Sequence, residues 1–176
     1  MNYQIPEQLE TNRLILRTFQ EKDWKDLFDY YGDEVCMTFT AKRALTDWET
    51  WRMVATMVGH WELRNFGPYA VVEKETKKVL GPVGLWYPLE WPEPEIKWGL
   101  ARHAWGRGYA REAAEAVRKM ASEHVPEYHL ISLIDPKNTA SIKVATSIGA
   151  SFEKTIVFRN GMDVGVYRHL AVGSSQ

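Results

Sequence analysis

The sequence holds a single cysteine, Cys36, among 176 residues, which excludes an intramolecular disulfide and fits a reducing compartment. Cys36 lies in Glu34-Val-Cys-Met-Thr-Phe39 with no histidine close in sequence, so a buried spacer is expected there rather than a nucleophile. No apolar run approaches the length of a membrane span, and no signal-peptide core opens the chain. A cytoplasmic protein without a membrane partner is the expectation. A surplus of positive charge is also missing: 22 Lys and Arg stand against 23 Asp and Glu, which argues against nucleic acid as a partner. The five histidines, His60, His103, His124, His129 and His169, show no ligand spacing, and no metal is expected. Repeats and linkers are absent too. The length suits one domain over residues 1–176, with an ordered core of about 9–172.

What is present is an ordinary hydrophobic fraction, 45%, with eight tryptophans. Most of these should be core, but Trp86, Trp91, Trp98 and Trp105 fall within one central region and suit a ligand groove as well. Arg13 to Phe19 reads as a strand, followed by a short helix marked by Trp24, Leu27, Phe28 and Tyr31. Thr46-Asp-Trp-Glu49 has the form of a capping box for a second helix, with Trp51, Val54, Ala55, Val58 and Trp61 expected on its inner face. Tyr69–Glu73 and Val79–Tyr87 form a hairpin interrupted at Gly81-Pro82, and Ile96–Leu100 resumes the sheet after a proline-rich acidic loop. A helix from Ala110 to about His124 buries Ala113, Ala114, Val117, Met120 and Ala121. Leu130–Ile134 reads as a strand parallel to Ile96–Leu100 and buried on both faces. Asn138 caps a helix ending at Gly149, and Phe152–Arg159 pairs with Met162–Leu170 across Asn160-Gly161. Segments before about Leu9 and after Val172 are expected to be loose. This order is an α/β plan with a mixed sheet.

The densest signal is His103-Ala-Trp-Gly-Arg-Gly-Tyr-Ala110. Two glycines one residue apart let the backbone turn tightly and approach a ligand without a Cβ in the way. The helix that follows aims its unpaired N–H groups and positive dipole end at the turn. A phosphate socket results, although an isolated G-x-G is more often a plain strand-to-helix turn. The dinucleotide fingerprint fails at Arg111, and no Gly-Lys-Ser/Thr exists for a P-loop. The run does resemble the pyrophosphate loop of the GNAT superfamily of N-acetyltransferases, Gln/Arg-x-x-Gly-x-Gly/Ala, with His103 in place of the usual Gln or Arg. Leu9-Glu-Thr-Asn-Arg-Leu-Ile-Leu-Arg17 with Asp23, Glu112 after the glycine run, and Asn138-Thr-Ala-Ser141 with Ile148-Gly149 are similar to the branch containing the ribosomal-protein N-terminal acetyltransferases.

That resemblance implies a mostly antiparallel mixed sheet with flanking helices, and a splayed parallel strand pair that binds acyl-CoA. The co-substrate would be acetyl-CoA, held by Leu100, Ala101, His103, Gly106, Arg107, Gly108, Tyr109, Ala110, Asn138 and Ser141. Arg102, Arg111 and Lys143 are further candidates for the nucleotide phosphates. Many of these enzymes carry a Tyr seven residues after the Asn as acid to the thiolate; here that position is Ala145, and Ser141 is the substitute. Some ribosomal-protein acetyltransferases have an acidic residue before the Asn-Gly hairpin, where this chain has Val157.

Glu95 opens the central strand and is the candidate base, acting through a water; a solvated strand-edge carboxylate is the alternative. Glu90, Trp91 and Glu93 crowd the loop ahead of it and suit a cationic or amine-bearing acceptor. The expected reaction is direct acetyl transfer in a ternary complex to a primary amine of a small molecule or a protein N-terminus. A catalytically inactive acyl-CoA-sensing module and a homodimer both stay open.

Overall fold

The computed structural model describes residues 3–170. In chain order the elements are β1 (Gln8–Glu10), β2 (Leu14–Arg17), α1 (Trp24–Tyr31), α2 (Asp47–Arg64), β3 (Pro68–Glu73), β4 (Val79–Trp86), β5 (Glu95–Trp98), α3 (Tyr109–His124), β6 (Ile131–Ile134), α4 (Thr139–Ser147), β7 (Ser151–Phe158) and β8 (Met162–Arg168). The eight strands form one sheet in the order β1-β2-β3-β4-β5-β6-β8-β7. Every pairing is antiparallel except β5 with β6. This is the mixed α/β architecture expected from the sequence. Among the described residues no helix is long and apolar enough to cross a membrane.

The Thr46 hydroxyl accepts from the Glu49 N–H, and the Glu49 carboxylate reaches back to the Thr46 N–H, so the capping box starts α2 as its sequence implies. The inner face of α2 is not the expected one. Thr50, Val54, Met57, His60 and Trp61 are buried, while Trp51 and Val58 are each 41% exposed. The buried set follows i, i+4, i+7 and i+11 from Thr50, about one residue round from the expected stripe. Trp51 instead lies along the surface and donates its indole N–H to Glu21.

The N-terminal segment also departs from expectation. β1 pairs with β2, Ile5 is buried, and Tyr3 packs edge-on against Trp61 at 5.1 Å. One aromatic and one aliphatic anchor supply the burial that ordering a chain end needs. The other expected loose end, after Val172, lies outside the described residues.

Two helical layers sandwich the sheet. Leu27, Tyr30, Tyr31, Val54 and Met57 of α1 and α2 pack on Ala70 and Val72 of β3. On the opposite face Ala113, Ala114, Val117, Met120 and Ala121 of α3 pack on Val83, Leu85 and Ile96. These small α3 residues let the helix lie close to β4 and β5, so its N-terminus is fixed relative to the end of β5. The β3–β4 hairpin is nearly all buried. β4 continues through Gly81-Pro82 as one strand, and the expected interruption survives as a register shift of its ladder with β3, from Val71 opposite Gly81 to Val72 opposite Val79. β6 is buried except at Leu133, which is partly exposed. A 3-10 turn, Arg159–Gly161, joins β7 to β8.

Candidate active site

β5 and β6 share a single registered pair, Glu95 with Ile131. The Ile131 N–H reaches the Pro94 carbonyl at 3.1 Å. The next rung of a parallel ladder would join the Leu133 N–H to the Ile96 carbonyl. Side chains take both of its halves. Leu133 donates to Glu95 Oε1 at 3.0 Å, and the Ile96 carbonyl accepts from Ser132 Oγ at 2.7 Å. Beyond this point the strands separate, wedged by a carboxylate on one face and a hydroxyl on the other.

The wedge is secured on both sides. Trp91 Nε1 donates to Glu95 Oε2 at 2.8 Å. Burial pushes the Glu95 carboxyl above the usual carboxylate range, while the Leu133 and Trp91 N–H groups and the nearby Lys97 ammonium pull it back. On the α3 face, Ser132 spends its proton on Ile96 and so accepts from His169 Nε2 at 2.8 Å. His169 is therefore the Nε2–H tautomer, held neutral because burial pushes its imidazole down to about 4. Its Nδ1 has no partner among the described residues. Sequence reasoning missed Ser132 and His169. They are 37 positions apart, and no local pattern connects them.

At the open end of β5, Gly99 and Ala101 donate their N–H groups to Pro82 and Leu80 of β4. The strand's alternation then turns the Leu100 backbone toward the gap. The Ala101 N–H is committed to the sheet, and the Leu100 carbonyl accepts the Trp105 indole at 2.7 Å. His103 lies within ion-pair reach of Asp29 at 3.5 Å and Arg102 pairs with Asp33 at 2.5 Å, so both side chains turn toward α1. The glycine turn follows, with Gly106 at φ 72° and Gly108 at φ 79°, a region that favours glycine. Gly108 is the residue before α3, so the first amides of that helix open onto the turn.

The turn is bolted to the rest of the molecule. Arg13 holds Glu112 at 2.7 Å and the Arg107 carbonyl at 2.8 Å. Arg107 pairs with Glu73 at 3.1 Å, and the Tyr109 hydroxyl donates to the same carboxylate at 2.6 Å. Both guanidinium groups lie on the buried Tyr109 ring, 4.3 and 4.7 Å from its centre. Thus Tyr109 and Arg107 offer backbone to the turn, while their side chains brace it. Ala110 stands in the first turn of α3, where Arg111 lines an open groove of ≈ 510 Å³ with Arg13, Glu115 and Lys119.

Across the gap, Asn138 caps α4 by accepting the Ser141 N–H at 3.2 Å. Ser141 is half-buried in the first turn of that helix. Ala145 is fully buried against Ile134, Ala150 and Tyr167, so Tyr167 of β8 fills the space beside it.

On the α1–α2 face the acidic loop is split up. Glu93 is held bidentately by Arg168 at 2.6 and 2.8 Å, and Arg168 also binds Glu153. Glu90 lies 3.5 Å from Arg159. The expected wall of Glu90, Trp91 and Glu93 is not one cluster: only Trp91 reaches Glu95. Its ring meets Phe158 at 4.8 Å and Trp86 at 6.4 Å, both edge-on. His60 stacks on Trp86 at 4.7 Å, accepts the Tyr87 N–H and bonds the Phe66 carbonyl. Lys97, two residues beyond Glu95 on the same face of β5, lays its ammonium 4.7 Å from the centre of the Trp86 ring. Sequence reasoning passed over Lys97, although opposite charges at alternate positions of one strand were a visible signal.

A slot between two strands, a backbone turned into it at Leu100 and a glycine turn at a helix start fit the arm and pyrophosphate of an acyl-CoA. The Acetyltransferase (GNAT) domain model matches residues 13–151. The uncharacterised protein YkkB of Bacillus subtilis (strain 168) is 33% identical over 161 residues, 84% of this chain and 87% of the relative. An acetyltransferase from Agrobacterium tumefaciens str. C58 superposes with a TM-score of 0.81 at 30% identity, covering 94% of this chain and 95% of that one. RimL, a ribosomal L7/L12 alpha-N-protein acetyltransferase solved with coenzyme A, shares the fold with a TM-score of 0.74 at 16% identity, over 97% and 99% of the two chains. The glycine turn, the split strands and the matched residues agree, and the chain belongs to the GNAT family of acetyltransferases.

Proposed function

We propose that this protein is an N-acetyltransferase that moves acetyl from acetyl-CoA to a primary amine, by direct attack with both substrates bound. The observation that carries this reading is the opened β5–β6 pair, which runs from the glycine turn at one end to the buried Glu95 at the other. Acetyl-CoA supplies an activated acyl group and a good leaving thiol. The α3 N-terminus and the amides of Gly106, Arg107, Gly108, Tyr109 and Ala110 hold its pyrophosphate. The Leu100 backbone guides the arm, with Asn138 and Ser141 on the opposite wall.

Glu95 takes the proton from the attacking amine, through a water. Leu133 and Trp91 fix its two oxygens, so the carboxylate keeps one orientation. An α-amine, with pKa of roughly 7.7–8.0, needs less help than a lysine-like amine at about 10.4, which favours an N-terminus or a small α-amine. RimL acts on a protein N-terminus and lends that class support. Ser141 is assigned the proton for the departing thiolate, because Ala145 carries no donor. A thiol-release assay over an amine panel, alongside calorimetric titration with CoA, tests the reading. Amine-dependent thiol release supports it; CoA binding without turnover on any amine would make the protein an acyl-CoA sensor instead.

A further inference from the structure

The acceptor face of β5 carries two opposite charges, and only one of them is satisfied. Glu95 is bonded through both oxygens. The Lys97 ammonium has the Trp86 ring beneath it, and among the described residues no hydrogen-bond acceptor or carboxylate is in contact with it. Glu95 is its nearest acidic influence, felt through the field and not through an ion pair. Meanwhile the carboxylates at the rim are already matched: Arg168 holds Glu93, and Arg159 lies beside Glu90. The loop ahead of β5 therefore offers a cation no unpaired pair of carboxylates, while β5 itself offers an anion the Lys97 ammonium.

We propose that Lys97 anchors an anionic group on the acceptor, so that the preferred substrate is a primary amine bearing a carboxylate or phosphate. This inference rests on the acetyl-transfer reading and names its substrate class. Cα atoms two residues apart on a strand are separated by about 6–7 Å, a spacing that suits one small molecule with its amine toward Glu95 and its anion toward Lys97. Trp86, Trp91 and Phe158 form a run of edge-on rings that meets Lys97 through Trp86 and Glu95 through Trp91, aromatic surface that favours an apolar group between the two poles. A half-buried ammonium without a partner is costly, and burial pushes Lys97 below the usual lysine range. A bound anion removes that cost and holds the Lys97 side chain in its ammonium form. The stacked His60–Trp86 pair keeps the ring, and so the lysine stem, in place.

The test uses matched probes: phenylalanine, its amide, and phenethylamine, with aminoalkyl phosphates as the second anion arm. Acetylation kinetics are read for the wild type, Lys97→Met and Lys97→Arg. In the wild type the anion-bearing amine is expected to exceed its uncharged counterpart in kcat/KM. Lys97→Met should cut that ratio by about 10–100-fold, mainly through KM, as loss of a charge-assisted hydrogen bond implies. Lys97→Arg should restore part of it. Wild-type preference for the uncharged amines, or a Lys97→Met loss that falls equally on both and on kcat, would overturn the inference. Probe binding, followed by tryptophan fluorescence in the presence of CoA, separates the two readings. Lys97-dependent binding of the anionic probes without turnover would sink acetyl transfer and keep the anchor. Turnover of amines with no dependence on their anion would do the reverse.

Discussion

The Leu133 N–H donates to Glu95 Oε1 across 3.0 Å, so a side chain of β5 makes the bond that its backbone, bending away, no longer reaches. Glu95 is thereby both the strongest candidate for proton transfer and part of the wedge that opens the slot. The two roles are separable by experiment, because only one needs the charge of the carboxylate, and glutamine keeps one of the two oxygen acceptors that the wedge uses.

If Glu95 is the base, Glu95→Gln lowers kcat/KM by about 10²–10⁴-fold, most at neutral pH and less as the free amine accumulates. The acid limb of the wild-type pH–rate profile lies above the ordinary carboxylate range, since burial raises this carboxyl. Trp91→Phe removes an N–H that favours the ionised form, so the acid limb moves to higher pH. An unchanged limb in Trp91→Phe, or a Glu95→Gln profile of wild-type shape, counts against the assignment.

His169 gives the fold a pH dependence of its own. Folded, its imidazole takes a proton only near pH 4, against 6.5 for an ordinary histidine. As pH falls through this window the unfolded chain binds a proton that the folded chain refuses. Stability is therefore lost from about pH 6.5 down to about 4, by roughly 3 kcal/mol in total. His169→Gln keeps a donor for Ser132 but does not titrate, so denaturant melts of this variant should flatten across that range. Ser132→Ala should cost about 1–3 kcal/mol at any pH, because it leaves the Ile96 carbonyl and the imidazole N–H unpaired.

Gly108→Val tests the phosphate turn. An added Cβ would lie 3.5 Å from Arg13 Nη2, an ordinary contact, so the cost comes from φ 79° and amounts to about 1–2 kcal/mol. The melting temperature should fall by about 2–8 °C, leaving a folded protein in which CoA affinity drops about 10–100-fold. Calorimetric titration checks it, and unchanged affinity would move the pyrophosphate elsewhere.

The ion pairs at the rim predict stability effects. Arg168 draws the Glu93 carboxyl below the usual range, so the pair's contribution is present at neutral pH and is lost as pH falls through the lowered Glu93 value. Arg168→Met should destabilise the protein by about 1–3 kcal/mol. Glu93→Gln should likewise lower the melting temperature with little change in acceptor KM, whereas Trp91→Ala should raise KM. A large KM effect of Glu93→Gln would return this carboxylate to the groove.

Local chemistry was legible wherever it decided the outcome locally. The reciprocal Thr46–Glu49 cap, the small inner residues of α3, the Asn138 cap and the glycine turn each follow from a few adjacent residues. The inner stripe of α2 was read one residue out because tryptophan looks like core in a sequence, whereas Trp51 found an acceptor at the surface in Glu21. Glu90 and Glu93 looked like one acidic patch because Arg159 and Arg168, which neutralise them, lie beyond residue 158. The Ser132–His169 bridge arises only when β5, β6 and the end of β8 lie side by side, and the seat of Lys97 on Trp86 only when β4 lies beside β5.

The single registered pair between β5 and β6 divides the sheet mechanically. β1 to β5 form one plate of paired strands, and β6, β8 and β7 form another. The seam between them is one rung and two side-chain bonds wide. An extended chain laid in that seam would act as a ninth strand and turn two plates into one. Amide exchange should then slow on both sides of the seam together when such a ligand binds, with the effect largest in the short strand β6 and smallest at the outer edges, β1 and β7.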